Sequence, residues 1–114
     1  MKLTRKKERE KRKNSDKCFS YIYPINDEDL DISFIEIKGR YPDKGFVMNE
    51  KVKELIFVQK GKGKIFNQDK FYNLEEGDEV LILSKEKYFF EGKLKLIAAC
   101  SPAWYQEQHK SIED

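Results

Sequence analysis

At 114 residues the chain has the length of one domain with one modest core. No apolar run approaches the roughly 18 residues that a membrane-spanning helix needs, and no apolar stretch follows the basic N-terminus, so no secretory signal is expected and a cytoplasmic protein is. Charge divides the chain: residues 1–17 hold nine Lys or Arg against three Asp or Glu, and the remainder holds fourteen against eighteen.

Residues 1–17, MKLTRKKEREKRKNSDK, have no apolar face to bury and are expected to form a basic tail, flexible or helical, ahead of a domain over 18–114. Such a run can touch phosphates, so nucleic acid enters as a partner only through residues 1–17; it carries no interleaved aromatics to stack bases. From Cys18 the character changes. Residues 18–23 (CFSYIY) read as a strand ended by Pro24, and 31–38 (DISFIEIK) as a second. Residues 39–45 are a turn region around Pro42 and two glycines. Residues 53–59 (KELIFVQ) carry apolar groups on both faces, as a strand buried on both sides would. Gly61-Lys62-Gly63 then reads as a tight turn, followed by strands over 64–67 and 70–73 around a Gln68-Asp69 turn. After a turn over 74–78 come strands over 79–83, 88–91 and 94–100, with Gly92-Lys93 as a further turn and Pro102 closing the last strand. A short terminal helix is expected over 105–112. Short strands punctuated this densely predict an all-β sandwich or barrel. The two cysteines, Cys18 and Cys100, fit neither a disulfide framework nor a zinc-ligand spacing and read as small buried hydrophobes.

Three stretches in order carry a resemblance: Glu54 followed after six residues by Gly61, Leu74-Glu75-Glu76-Gly77-Asp78 leading into a strand, and Cys100-Ser101-Pro102-Ala103-Trp104-Tyr105. Together they resemble the cupin superfamily, specifically small single-domain bacterial cupins. The resemblance implies a jelly-roll β-barrel with a ligand cup. It also implies where that family's metal-binding groups would fall. Glu54 matches the glutamate; the first two histidine positions fall on Met48 and Glu50 or on Val47 and Asn49, and the third on Tyr88. None is histidine. A transition metal held by imidazoles needs those nitrogens, so no metal and no cofactor is expected. Glu50 and Glu54 are weak candidates for a hard cation.

If Glu54 points inward, so do Ile56 and Val58; if Tyr88 does, so does Phe90. The expected pocket is an apolar, aromatic cup lined by Asn49, Glu54, Ile56, Tyr88 and Phe90. Catalytic candidates are Glu54, Tyr88 and His109, the only histidine. Each has a plainer alternative: Glu54 paired with Lys51 or Lys53 at the rim, Tyr88 in the core bonded to backbone, His109 on the surface of a polar tail. Trp104 and Tyr105 cap the barrel or sit in a subunit contact. Three functions follow in order: a metal-free barrel binding a small polar molecule such as a sugar or carboxylate, a metal-independent isomerase or epimerase, and a dimeric interaction protein. A homodimer is expected.

Overall fold

The computed structural model describes residues 1–113; Asp114, the last residue of the domain expected over 18–114, lies outside them. Its strands are β1 (Glu10–Ser15), β2 (Cys18–Ile22), β3 (Asp31–Tyr41), β4 (Phe46–Asn49), β5 (Lys53–Asn67), β6 (Lys70–Glu75), β7 (Glu79–Ile82), β8 (Lys87–Ser101) and β9 (His109–Ile112). Single 3-10 turns stand at Lys6–Glu8 and Gln106–Gln108. No helix among the described residues is long and apolar enough to cross a membrane. The all-β class expected from the strand-and-turn rhythm is what the chain adopts.

The two long strands organise the barrel. Along one edge β8 pairs with β3, from Asp31 opposite Cys100 to Tyr41 opposite Phe90, and then with β4, Val47 opposite Tyr88. Along its other edge it pairs with β5, from Lys53 opposite Ser101 to Phe66 opposite Phe89. The far edge of β5 takes β7 beside residues 54–57 and β6 beside residues 62–67. Strands β2 and β1 extend the sheet beyond β3, and β9 extends it beyond β4. Every pairing is antiparallel, and β5 and β8 each run through both walls of the curled sheet.

What lets them do so is glycine. Gly61-Lys62-Gly63 and Gly92-Lys93, expected as turns, lie inside β5 and β8 instead. Gly39, Gly92 and Gly63 stand side by side across β3, β8 and β5. A Cβ on Gly92 would come within 2.5 Å of the Gly63 Cα, and its φ of +132° suits only a residue without a side chain. A glycine row of this kind bends a sheet around a barrel corner while the ladder continues, so it does not end a strand. The Gln68-Asp69 turn, by contrast, does reverse the chain, between β5 and β6.

Side chains alternate across the wall. On β8 the inward set is Tyr88, Phe90, Leu94, Leu96, Ala98 and Cys100, all buried; on β5 it is Glu54, Ile56 and Val58. The outward neighbours Leu55 and Phe57 are 41% and 44% exposed, so this strand is buried on one face and not on both. Ile37, Ile56, Val58, Leu94 and Leu96 form the apolar floor.

Two terminal expectations are corrected. Residues 10–15 are not a flexible or helical tail; they are an edge strand paired with β2. That strand has no apolar alternation because its inner face meets a polar cavity, while outside Lys11 lies 4.7 Å from the Phe19 ring and Arg9 stands 4.2 Å from the Tyr21 ring. Residues 105–112 are not a helix: after the Gln106–Gln108 turn they form β9, which pairs with β4. Two four-residue strands that satisfy each other's backbone are too short to show a period.

Candidate active site

A cavity of about 360 Å³ opens at one end of the barrel, walled by β1, β2, β3, β5, β8 and β9. The register sets its polar groups. Asp31, Cys100 and Glu54 form a row across β3, β8 and β5, and Asn49 stands opposite His109 across β4 and β9. Glu54 is only 6% exposed and forms no ion pair with Lys51 or Lys53; the rim pairing is not what the chain makes. Instead Asn49 Nδ2 donates to Glu54 Oε1 at 2.6 Å and the Tyr88 hydroxyl donates to the same oxygen at 3.2 Å. The Tyr88 hydroxyl therefore serves the carboxyl and not the backbone.

The direction of this network is fixed from the main chain. The backbone N–H groups of Lys51 and Val52 donate to Gln108 Oε1 at 3.2 and 3.1 Å. Gln108 must then present its Nε2, which donates to Asn49 Oδ1 at 2.9 Å. With Oδ1 turned that way, Asn49 has its amide nitrogen toward Glu54. His109 Nδ1 lies 2.8 Å from the same Oδ1, an atom that can only accept, so Nδ1 carries the proton and Nε2 is the basic nitrogen. Every fully buried polar side-chain atom among the described residues has a partner, whereas Glu54 Oε2 and His109 Nε2 have none. Both residues line the cavity, and these two atoms are its open chemistry.

Burial tunes the groups. It pushes the Glu54 carboxyl above its ordinary range, with the Asn49 and Tyr88 hydrogen bonds pulling partly back. It lowers the His109 imidazole, which favours the neutral ring. It raises Asp31 too, against the Trp104 backbone N–H donated to its Oδ2 at 3.1 Å. Tyr88 is held well above the usual phenol range by burial and by Glu54. The free cysteines are buried as expected; desolvation lifts Cys18 to about 11 and raises Cys100 as well, so neither is a ready thiolate.

Of the expected pocket residues, Glu54, Tyr88 and Phe90 line the cavity. Asn49 sits behind it, bridging Glu54 and His109, and Ile56 packs in the floor. His109 is not on the surface of a tail: β9 brings it into the cup, with its ring 5.6 Å from that of Trp104. Trp104 also lines the cavity, while Tyr105 is 43% exposed. Gln108, Asp31 and Arg12 are additions that no sequence motif marks. Gln108 in particular is a lone amide in a polar segment, and only its 3% exposure reveals its role.

No family model and no curated protein matches the chain. Solved structures do. A uridine-bound variant of Streptomyces Pac13 superposes with a TM-score of 0.87 at 12% identity, over 97% of this chain and 89% of that one; Pac13 is described as a nucleoside dehydratase. An RmlC-like cupin from Shewanella frigidimarina gives 0.72 at 17% identity, over 89% and 90% of the two chains. KdgF from Halomonas sp. gives 0.69 at 14%, over 92% and 96%. The chain has the cupin fold.

That fold carries a metal in many of its members, and the residues here can be tested against one. Val47 and Asn49 are the buried pair of the two alternatives, while Glu50 is part-exposed and ion-paired with Lys110 at 3.4 Å, so Glu50 and Glu54 do not form a joint site. The interior of this cupin barrel thus offers one carboxyl, one carboxamide and one phenol at the positions in question. The carboxamide oxygen is already taken twice and its nitrogen faces the carboxyl. This donor set does not fit a transition metal. Among the described residues no group of three or more His, Cys, Asp or Glu is gathered.

Proposed function

We propose that the cup is a metal-independent acid–base site for a small hydroxyl-bearing molecule of the sugar or nucleoside class. One observation carries the reading. A single amide, Asn49, orients both a neutral imidazole and a carboxyl of raised pKa, and leaves one free atom of each on the cavity. The imidazole Nε2 takes a proton from carbon, and the protonated carboxyl gives one to oxygen. Where that oxygen is a departing hydroxyl, water leaves and a double bond forms; where it is a carbonyl, an enediol forms, and return of a proton to carbon with loss of one from a hydroxyl oxygen to the carboxylate completes isomerisation or epimerisation. The likeness to a nucleoside dehydratase solved with uridine supports this class of ligand, as does the mixture of aromatic wall and few polar groups.

The test is incubation of the full chain with uridine and a panel of sugars in deuterated water, following exchange of carbon-bound hydrogen by mass spectrometry. Exchange that falls by about 10²–10⁴ in Glu54→Gln and in His109→Gln supports the reading. Binding without exchange would leave the cup a ligand-holding barrel, and exchange that survives both substitutions would contradict the assignment.

A second proposal concerns pairing. The outward side chains Ile32, Leu55, Phe57 and Leu81, between 41% and 52% exposed, adjoin one another across β3, β8, β5 and β7. An apolar strip of that kind suits a homodimer. Sedimentation should show a dimer that Phe57→Glu dissociates; a monomeric wild-type chain would remove the proposal.

A further inference from the structure

Arg12 points inward from β1, opposite Ser20, and lines the same cavity as Glu54 and His109. Its guanidinium lies 4.8 Å from the centre of the Trp104 ring. Among the described residues no carboxylate stands within ion-pair distance of it. The adjacent Lys13 is taken by Asp16 at 2.8 Å. The two acids of the cavity are served by neutral donors, Asp31 by the Trp104 N–H and Glu54 by Asn49 and Tyr88. Burial moreover favours the protonated form of both. A part-buried cation with no carboxylate in ion-pair distance, lining the same cavity as Glu54 and His109, suits a ligand that brings the negative charge.

We propose that Arg12 is a specificity-determining residue that receives a carboxylate or phosphate on the ligand, so that the sugar-type substrate is anionic at one end and meets the acid–base pair with the other. This rests on the acid–base reading of the cup and narrows its substrate class. The flat guanidinium fork matches two oxygens of either group at once, which an ammonium does not.

Calorimetric titration of the full chain with two matched pairs tests it: uridine against uridine 5′-monophosphate, and glucose against glucuronate. In the wild type the anionic member of at least one pair binds at least about tenfold more tightly. Arg12→Gln reduces that preference by about tenfold to a hundredfold, and Arg12→Lys keeps part of it; melting curves confirm that both variants fold. Preference confined to the monophosphate pair identifies phosphate, and preference confined to the glucuronate pair identifies carboxylate. Neutral members binding as well as anionic ones, in wild type and Arg12→Gln alike, would overturn the role of Arg12 while leaving the cup intact. Absence of binding by all four would overturn both readings.

Discussion

Glu54 and Val58 stand on the same strand, β5, and both point into the barrel, yet they belong to different chemistries. Around Val58 lie Leu94, Leu96 and Ile37, a floor from which water is excluded by apolar packing. Around Glu54 lie Asn49, Tyr88, Cys100 and Asp31, a wall whose polar groups answer one another. At the floor, burial stabilises the fold. At the cup, the same burial disfavours an ionised carboxyl and must be offset by hydrogen bonds. A barrel can keep such a group because one end supplies the stability that the other uses.

The comparison is sharpest when each end is disturbed separately. Leu96 is fully buried in the floor; Leu96→Ala should destabilise the chain by about 2–5 kcal/mol, read from the denaturant midpoint at constant slope. A loss near zero would mean that the floor is not the stabilising end. Asn49→Ala strips the bridge between Glu54 and His109 and leaves Gln108 Nε2 unpaired, for a loss of about 1–3 kcal/mol. It should also move the Glu54 titration further upward, because a bond that pulled the pKa down is gone. A purely structural Asn49 would cost stability without that shift.

The smallest effect has an unusual sign. The Glu54 pKa is raised above its ordinary value of 4.5, so between that value and the folded one the native state holds the extra proton. Wild-type stability therefore falls as pH rises through this window. Glu54→Gln, which keeps an acceptor for Asn49 and Tyr88, should be more stable than wild type near neutrality, with the advantage fading as pH falls through this window and gone by 4.5. His109 works in the other direction: its pKa is lowered from 6.5, so acidification below 6.5 removes stability, and His109→Gln should flatten that fall. Paired urea melts from pH 4 to pH 8 would check both signs.

The all-β class was legible from the strand-and-turn rhythm, and the cup's Glu54–Tyr88 pair from the cupin resemblance, whose spacing falls on those two positions; strand alternation then puts Ile56, Val58 and Phe90 on the same face. The strands β1, β4 and β9 were not. Each is short or charged, and each contributes an inward residue that is polar because the cavity is polar: Arg12, Asn49 and His109. Periodicity detects a wall that faces oil, and it fails where the wall faces a ligand. The glycines misled for a related reason. Gly61 and Gly92 signal unusual backbone, but whether that backbone reverses or only bends depends on the strands beside it. Asn49 was placed in the pocket by motif spacing, yet its work is behind the cavity, where only the hydrogen-bond directions show it.

Carboxyl-carbon NMR of Glu54 across pH 3 to 9, in the full chain without ligand, addresses the acid–base cup most directly. A single titration displaced above the ordinary 4.5 is expected, displaced further when Asn49 is replaced by alanine. A Glu54 resonance titrating at or below 4.5 would show a carboxylate already ionised at neutral pH, with no proton to give, and would contradict it.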